Sequence, residues 1–162
     1  MEEYVFNVNL KGMLDILSNH LYSTPKVFIR ELLQNSVDAI NLRRSYESFE
    51  DPRIDIIIEE NKSLTFRDNG SGLTEEEIHK FISVIGQSSK RDSSMSFTGR
   101  FGIGILSCFM VTPEITLRTR SYKTPDKVYE WHGFTDGKYT VSEISDDMKT
   151  GTEIYIKPSP SS

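Results

Sequence analysis

Glu31, Asn35 and Asp38 stand in the stretch Glu31-Leu-Leu-Gln-Asn35-Ser-Val-Asp38. On a helix, at about 100° per residue, they fall within an arc of about 60° and share one face. Leu32, Ala39 and Phe28 lie close beside that face, so the polar groups border the core. Carboxylates there are costly unless they meet a cation, water or hydrogen-bond donors. The neutral carbonyl oxygen of Asn35 suits a hard Mg²⁺ ion that keeps most of its waters. Glu31, one turn away, can polarise a water for attack on a terminal phosphate. A solvated helix face with the same spacing is the other reading.

Two glycine-rich stretches extend the pattern. In Asp68-Asn-Gly70-Ser-Gly72 the acid follows a strand ending at Phe66-Arg67, and the glycines permit positive φ or close backbone approach. These are ordinary residues for a strand-to-helix turn. They also suit the floor of a pocket, where an ionised Asp68 only accepts hydrogen bonds and so favours an exocyclic amine over a carbonyl. Gly99-Arg-Phe-Gly102-Ile-Gly104 precedes an apolar helical stretch, where bare amides and the helix dipole attract an anion such as phosphate. A tight-packing loop would use the same glycines. The Gly-x-x-x-x-Gly-Lys-Ser/Thr loop is absent, as is a strand-Gly-x-Gly-x-x-Gly-helix unit. Taken in order and followed by Gly151-Thr152, the segments describe a pocket for a purine nucleotide and its phosphates.

The elements that must position these residues follow from periodicity and punctuation. Residues 4–8 read as a short strand. Leu10 to Leu21 reads as a helix, with Met13, Ile16, Leu17 and Leu21 at i, i+3, i+4 spacing. The acid-bearing helix should begin at Thr24-Pro25, a cap followed by proline, and run to about Arg44. Ile54–Glu59 and Ser63–Arg67 flank a polar turn and suggest a hairpin. Thr74-Glu-Glu-Glu77 has a capping-box pattern and starts a helix through about Ile85. Residues 86–98 are Ser-rich and read as a mobile segment. Ile105 to Val111 looks like a buried helix, stopped by Thr112-Pro113. Strands are expected over about 114–121, 128–134, 138–144 and 152–157. Helices first and strands last fit an α/β (α+β) fold: a two-layer sandwich with a mixed, mostly antiparallel sheet covered on one face by helices.

A chain of 162 residues fits one domain. Its 36% hydrophobic and 27% charged content is that of a globular protein, with nine Phe and seven Tyr to fill an interior. The net charge of −5 argues against a dedicated nucleic-acid surface. No apolar run approaches the roughly 20 residues that cross a bilayer, and the start has no signal-type stretch, so a cytoplasmic location is expected. One cysteine excludes an internal disulfide, and Cys108 reads as a small buried hydrophobe. His20, His79 and His132 lack metal-site spacing. Trp131, Tyr129 and Phe134 read as strand packing, and Arg118, Arg120 and Lys123 as a solvated strand and turn.

The combination resembles the ATPase fold shared by Hsp90 chaperones, type II topoisomerases, MutL mismatch-repair proteins and sensor histidine kinases, the Bergerat or GHKL fold. Within that superfamily the chain is most similar to the amino-terminal domain of Hsp90, as a divergent bacterial-type member. The stretch from Tyr22 to Ala39 and the form of Gly99–Gly104 carry this choice. The resemblance implies an ATP-binding domain over residues 1–158, with 159–162 a linker or chain end. It implies ATP/ADP and Mg²⁺ as ligands, Glu31 as general base with Arg30 beside it, and Asn35 as the Mg²⁺ ligand. Asp68 matches the adenine-reading aspartate, with Thr152 beside it through an ordered water. Asp38 falls at a pocket-lining position, and Gly70, Gly72 and Leu73 shape the base site. Gly99, Arg100, Phe101, Gly102, Ile103 and Gly104 match the phosphate-cradling turn, and Lys90 a lysine near the nucleotide. It further implies middle and dimerisation domains in a longer chain, client proteins, a homodimer and slow hydrolysis by this part alone.

Several positions depart from the family pattern. The lid segment, about 87 to 98, is shorter than is typical. Thr24-Pro25-Lys26 replaces an acidic-charged run, Val84 stands in place of an asparagine, and the first strand is curtailed at Met1. Three other functions use similar parts. A DNA-processing ATPase of the MutL, topoisomerase or MORC type is opposed by the acidic balance. A histidine kinase lacks a glutamate four residues before the asparagine, and Glu31 is present. A nucleotide-sensing module with little hydrolysis is compatible with the short lid.

Overall fold

A computed structural model describes residues 2–5, 27–49, 51–59, 63–80, 105, 108–110, 112–135 and 138–157. The strands are β1 (Glu2–Val5), β2 (Ile54–Glu59), β3 (Ser63–Asp68), β4 (Glu114–Arg120), β5 (Val128–Phe134), β6 (Lys138–Ile144) and β7 (Gly151–Ile156). They form one seven-stranded sheet in the order β1-β6-β5-β4-β7-β3-β2. All six pairings are antiparallel, so the described sheet has no mixed character. The last four strands match their expected spans to within a residue or so. The first strand is described over Glu2–Val5; residues 6–8 of the expected 4–8 lie outside the described residues. The expected helix over Leu10–Leu21 lies outside the described residues.

The helix α1 spans Val27–Tyr46, two residues beyond its expected end; its expected cap at Thr24-Pro25 lies outside the described residues. Leu32, Asn35, Ser36, Ala39 and Ile40 are its buried positions. This i, i+3, i+4, i+7, i+8 stripe packs on the sheet, and two of its five members are polar. Arg43 and Arg44 in the last turn complement the helix dipole. The second helix, α2, covers residues 75–80 among those described and begins with the expected capping box. The Glu77 amide donates to Thr74 Oγ1 at 3.2 Å, and the Thr74 amide donates to Glu77 Oε1 at 2.9 Å.

Alternation places three residue rows on the helix-facing side of the sheet. Leu64, Ile156, Ile115, Gly133 and Tyr139 form one row, and Phe66, Ile154, Leu117, Trp131 and Val141 the next. With Leu32, Ile78, Ile105 and Cys108 they build one core. Trp131 is strand packing, as expected. Cys108 is buried and its thiol is pushed well above its ordinary range by that burial, so it is an inert hydrophobe. It opens a short 3₁₀ turn, Cys108–Met110, within the expected 105–111 helix. The third row, at the end of the sheet, is Asp68, Thr152, Thr119 and Tyr129.

The outer face carries alternating charge in one row: Asp55, Arg67, Glu153, Arg118 and Glu130 are successive cross-strand partners. Arg67 Nε donates to Glu153 Oε2 at 2.9 Å, and Arg118 Nε donates to Glu130 Oε2 at 2.8 Å. Arg118 is thus tied across the sheet and not merely solvated. Each exposed pair contributes only about 0.2–1 kcal/mol. Among the described residues, no helix is long and apolar enough to cross a membrane.

The turn after β3 is where backbone constraint concentrates. Gly72 has φ +68, and a Cβ there would collide with the Arg120 carbonyl. Gly72→Ala should destabilise the domain by about 2–4 kcal/mol. Urea unfolding measures this, and an unchanged midpoint would contradict the close approach of this turn to β4.

Candidate functional site

Asp68 ends β3 at the polar end of the sheet. Its partner on β7 is Thr152, whose partner on β4 is Thr119, so the three side chains share one face. All three are buried. The Gly70 amide donates to Asp68 Oδ1 at 2.9 Å, and the Ser36 hydroxyl and Thr152 amide also bond the carboxyl. Burial outweighs these donors and raises the Asp68 pKa from its ordinary 3.8 to about 7. Ser36 belongs to α1, so one hydrogen bond joins helix to strand at the carboxyl itself.

The following turn is fastened on three sides. The Ser71 amide donates to the Ala39 carbonyl on α1 at 3.0 Å, and the Tyr122 amide donates to the Ser71 carbonyl at 3.0 Å. The Leu73 amide donates to Thr119 Oγ1 at 2.8 Å. A Cβ on Gly70 would lie 2.6 Å from the Ala39 backbone, so glycine permits this contact of turn and helix. Arg43 Nη1 reaches the Asn69 carbonyl at 2.7 Å, one turn beyond Ala39. Asp68 and Gly70 thus lie against α1, while Gly72 and Leu73 lie against β4.

On α1 the buried stripe sets what each acid meets. Measured from Glu31, the stripe runs from about 40° at Asn35 to about 180° at Ile40, with Glu31 at 0° and Asp38 at about −20°. Asn35 sits inside the buried edge, while Glu31 and Asp38 flank it half-buried. Arg30 Nη2 lies 3.7 Å from Glu31 Oε1, with side chains 73% and 21% exposed. Exposure screens that pair, which positions the carboxylate loosely. Gln34 Nε2 donates to Asp38 Oδ1 at 3.0 Å. Lys90, Gly99, Arg100, Phe101, Gly102, Ile103 and Gly104 lie outside the described residues.

Sequence reasoning passed over two residues. Ser36 stands in the buried stripe between Leu32 and Ile40, where an apolar residue would be routine. Thr119 continues the inward alternation of Ile115 and Leu117, and its hydroxyl meets three groups. A polar residue at an apolar register position was the available signal in both cases.

The sequence profile described as "Histidine kinase-, DNA gyrase B-, and HSP90-like ATPase" matches residues 22–153. The chain belongs to this ATPase family. Its relatives support the Hsp90 branch. A "TNF receptor-associated protein 1 homolog, mitochondrial" from Dictyostelium discoideum is 34% identical, over 99% of this chain and 25% of its own length. "Chaperone protein HtpG" from Pasteurella multocida is 32% identical over 93% of this chain and 27% of its own. The protein of that name from Chlorobium chlorochromatii is 29% identical over 97% and 28%. The chain spans about a quarter of the length of these curated relatives.

Asp68 makes a signed prediction about this ATPase domain. Its folded pKa of about 7 exceeds the unfolded value, so between about pH 4 and 7 the folded state holds the proton and the unfolded state does not. The stability contributed by this group therefore falls as pH rises through that window. An amide in place of the carboxyl does not titrate, and Ser36 can reverse its hydroxyl to suit it. Relative to the parent, Asp68→Asn should gain about 2–3 kcal/mol between pH 5 and pH 8. Thermal unfolding of both proteins across that range checks it; a difference independent of pH would contradict the burial of the carboxyl.

Proposed function

We propose that residues 1–158 form the nucleotide-binding domain of an Hsp90-like chaperone, which binds ATP and ADP with Mg²⁺ and hydrolyses ATP with Glu31 as general base. The observation that carries the base site is the buried Asp68 carboxyl, held from α1, the Gly70 turn and β7 together. In its ionised form, which prevails above about pH 7, a carboxylate fixed at the floor of a site accepts from an exocyclic amine and repels a carbonyl, which selects adenine over guanine. Thr152 lines the same floor, and Gly70, Gly72 and Leu73 shape it.

Catalysis rests on α1. Glu31 removes a proton from the attacking water, and Arg30 beside it restrains its carboxylate. Asn35, with a neutral hard oxygen at the buried edge of the same helix, fits a Mg²⁺ ligand. When bound, Mg²⁺ supplies neutralisation of phosphate charge. Asp38 borders the site one turn from Asn35. The turn Gly99, Arg100, Phe101, Gly102, Ile103 and Gly104, with Lys90, is proposed to hold the phosphates through its amides.

Because relatives extend well beyond this chain, its working form is taken as part of a longer, cytoplasmic, homodimeric protein acting on client proteins. A group from a following domain then completes catalysis, so turnover by this part alone is expected to be slow.

Calorimetry with ADP·Mg²⁺ and GDP·Mg²⁺ tests the base site. ADP should bind at least about 100-fold more tightly, because a carbonyl facing Asp68 leaves buried polar groups unpaired. Equal affinities would remove Asp68 from this role. In the longer protein, Glu31→Ala should retain ATP affinity and lower turnover about 10²–10⁴-fold. Full remaining turnover would eliminate Glu31 as the base.

A further inference from the structure

We propose that Thr119 is a positioning residue that fixes the direction of the Thr152 hydroxyl, making the pocket floor beside Asp68 an all-acceptor surface that selects a 6-amino over a 6-oxo purine. This rests on the adenine reading of Asp68 and deepens it.

Thr119 Oγ1 carries one hydrogen and two lone pairs. It accepts from the Leu73 amide at 2.8 Å and donates to the Gly151 carbonyl at 3.0 Å. Its remaining contact is Thr152 Oγ1, also at 3.0 Å. With the Thr119 proton committed to Gly151, the shared contact requires Thr152 to donate. The Thr152 hydroxyl proton is then directed away from Asp68, toward β4, and only its lone pairs remain for a ligand or a bridging water. Thr119 is fully buried, so no solvent competes for these bonds.

The chemical consequence is a matter of donor count. An ionised Asp68 accepts, and so does Thr152 held in this sense. A purine carrying an amine at C6 supplies hydrogens to such a floor. A purine carrying a carbonyl there sets an acceptor against both, and the hydrogen it carries on N1 can satisfy only one of them. If Thr152 were free to turn, it could donate to that carbonyl and tolerate the wrong base. Thr119 removes that freedom without touching the nucleotide.

Calorimetry of this chain with ADP·Mg²⁺ and inosine diphosphate·Mg²⁺ tests the assignment, using the parent, Thr119→Ser and Thr119→Val. The parent should prefer ADP, and Thr119→Ser should keep the ratio. Thr119→Val should reduce the ratio about tenfold, chiefly because inosine diphosphate gains. A ratio unchanged in Thr119→Val while both affinities fall would assign Thr119 a structural role only and overturn the proposal. A parent that binds both ligands equally would instead remove the adenine reading, and this proposal with it. Thr119→Val leaves the Leu73 amide and Gly151 carbonyl unpaired and can fail to fold. Hydroxyl-proton NMR on the parent then decides. A slowly exchanging Thr152 proton directed at Thr119 is expected, and a Thr119 proton directed at Thr152 would overturn the proposal.

Discussion

A carboxyl group buried where four chain segments meet is the constraint on which the site depends. Asp68 takes hydrogen bonds from Ser36 on α1, Gly70 in the turn and Thr152 on β7. Any one of these would anchor a loop. Together they fix the separation of helix and sheet at the end where the nucleotide site is proposed. The arrangement is not a stability device, since burial drives the carboxyl toward its neutral form despite three donors. A ligand amine is the partner that would favour the charged form, so binding and the electrostatic cost of burying the carboxyl are linked at one group.

The two faces of the sheet divide the labour around that carboxyl. Asp68, Thr152 and Thr119 point toward the helices, and their chain neighbours Arg67, Glu153 and Arg118 point outward as a charge-alternating row. Pairing of the outer row opposes a one-residue slip, which would invert every side chain between core and solvent. The inner polar row is bordered by the apolar row of Phe66, Leu117 and Trp131. Close packing there leaves the polar end little freedom to drift.

The helix α1 shows how a binding element can be built within an ordinary amphipathic pattern. Its buried stripe keeps Leu32, Ala39 and Ile40 against the sheet and gives Asn35 and Ser36 to the proposed site. Glu31 and Asp38 stay at the margin, half-buried. Gly70 lets the turn approach Ala39 closely, and Ser36 of the stripe meets Asp68 beside it.

Much of this is local and was therefore legible in the residues alone. The capping box at Thr74 and Glu77, the helical arc of Glu31, Asn35 and Asp38, and the alternation of β4 to β7 depend on contacts within a few positions. Family resemblance added roles for Asp68 and Thr152. Strand order, the union of Asp68 with Ser36, and the three-way bonding of Thr119 did not show in the sequence. They join residues tens of positions apart, and periodicity carries no information about which distant strand becomes a neighbour. Residue types and local spacing determined the parts; long-range pairing of β3, β7 and β4 against α1 decided which of them meet, because there the buried Asp68, Ser36, Thr152 and Thr119 find their partners.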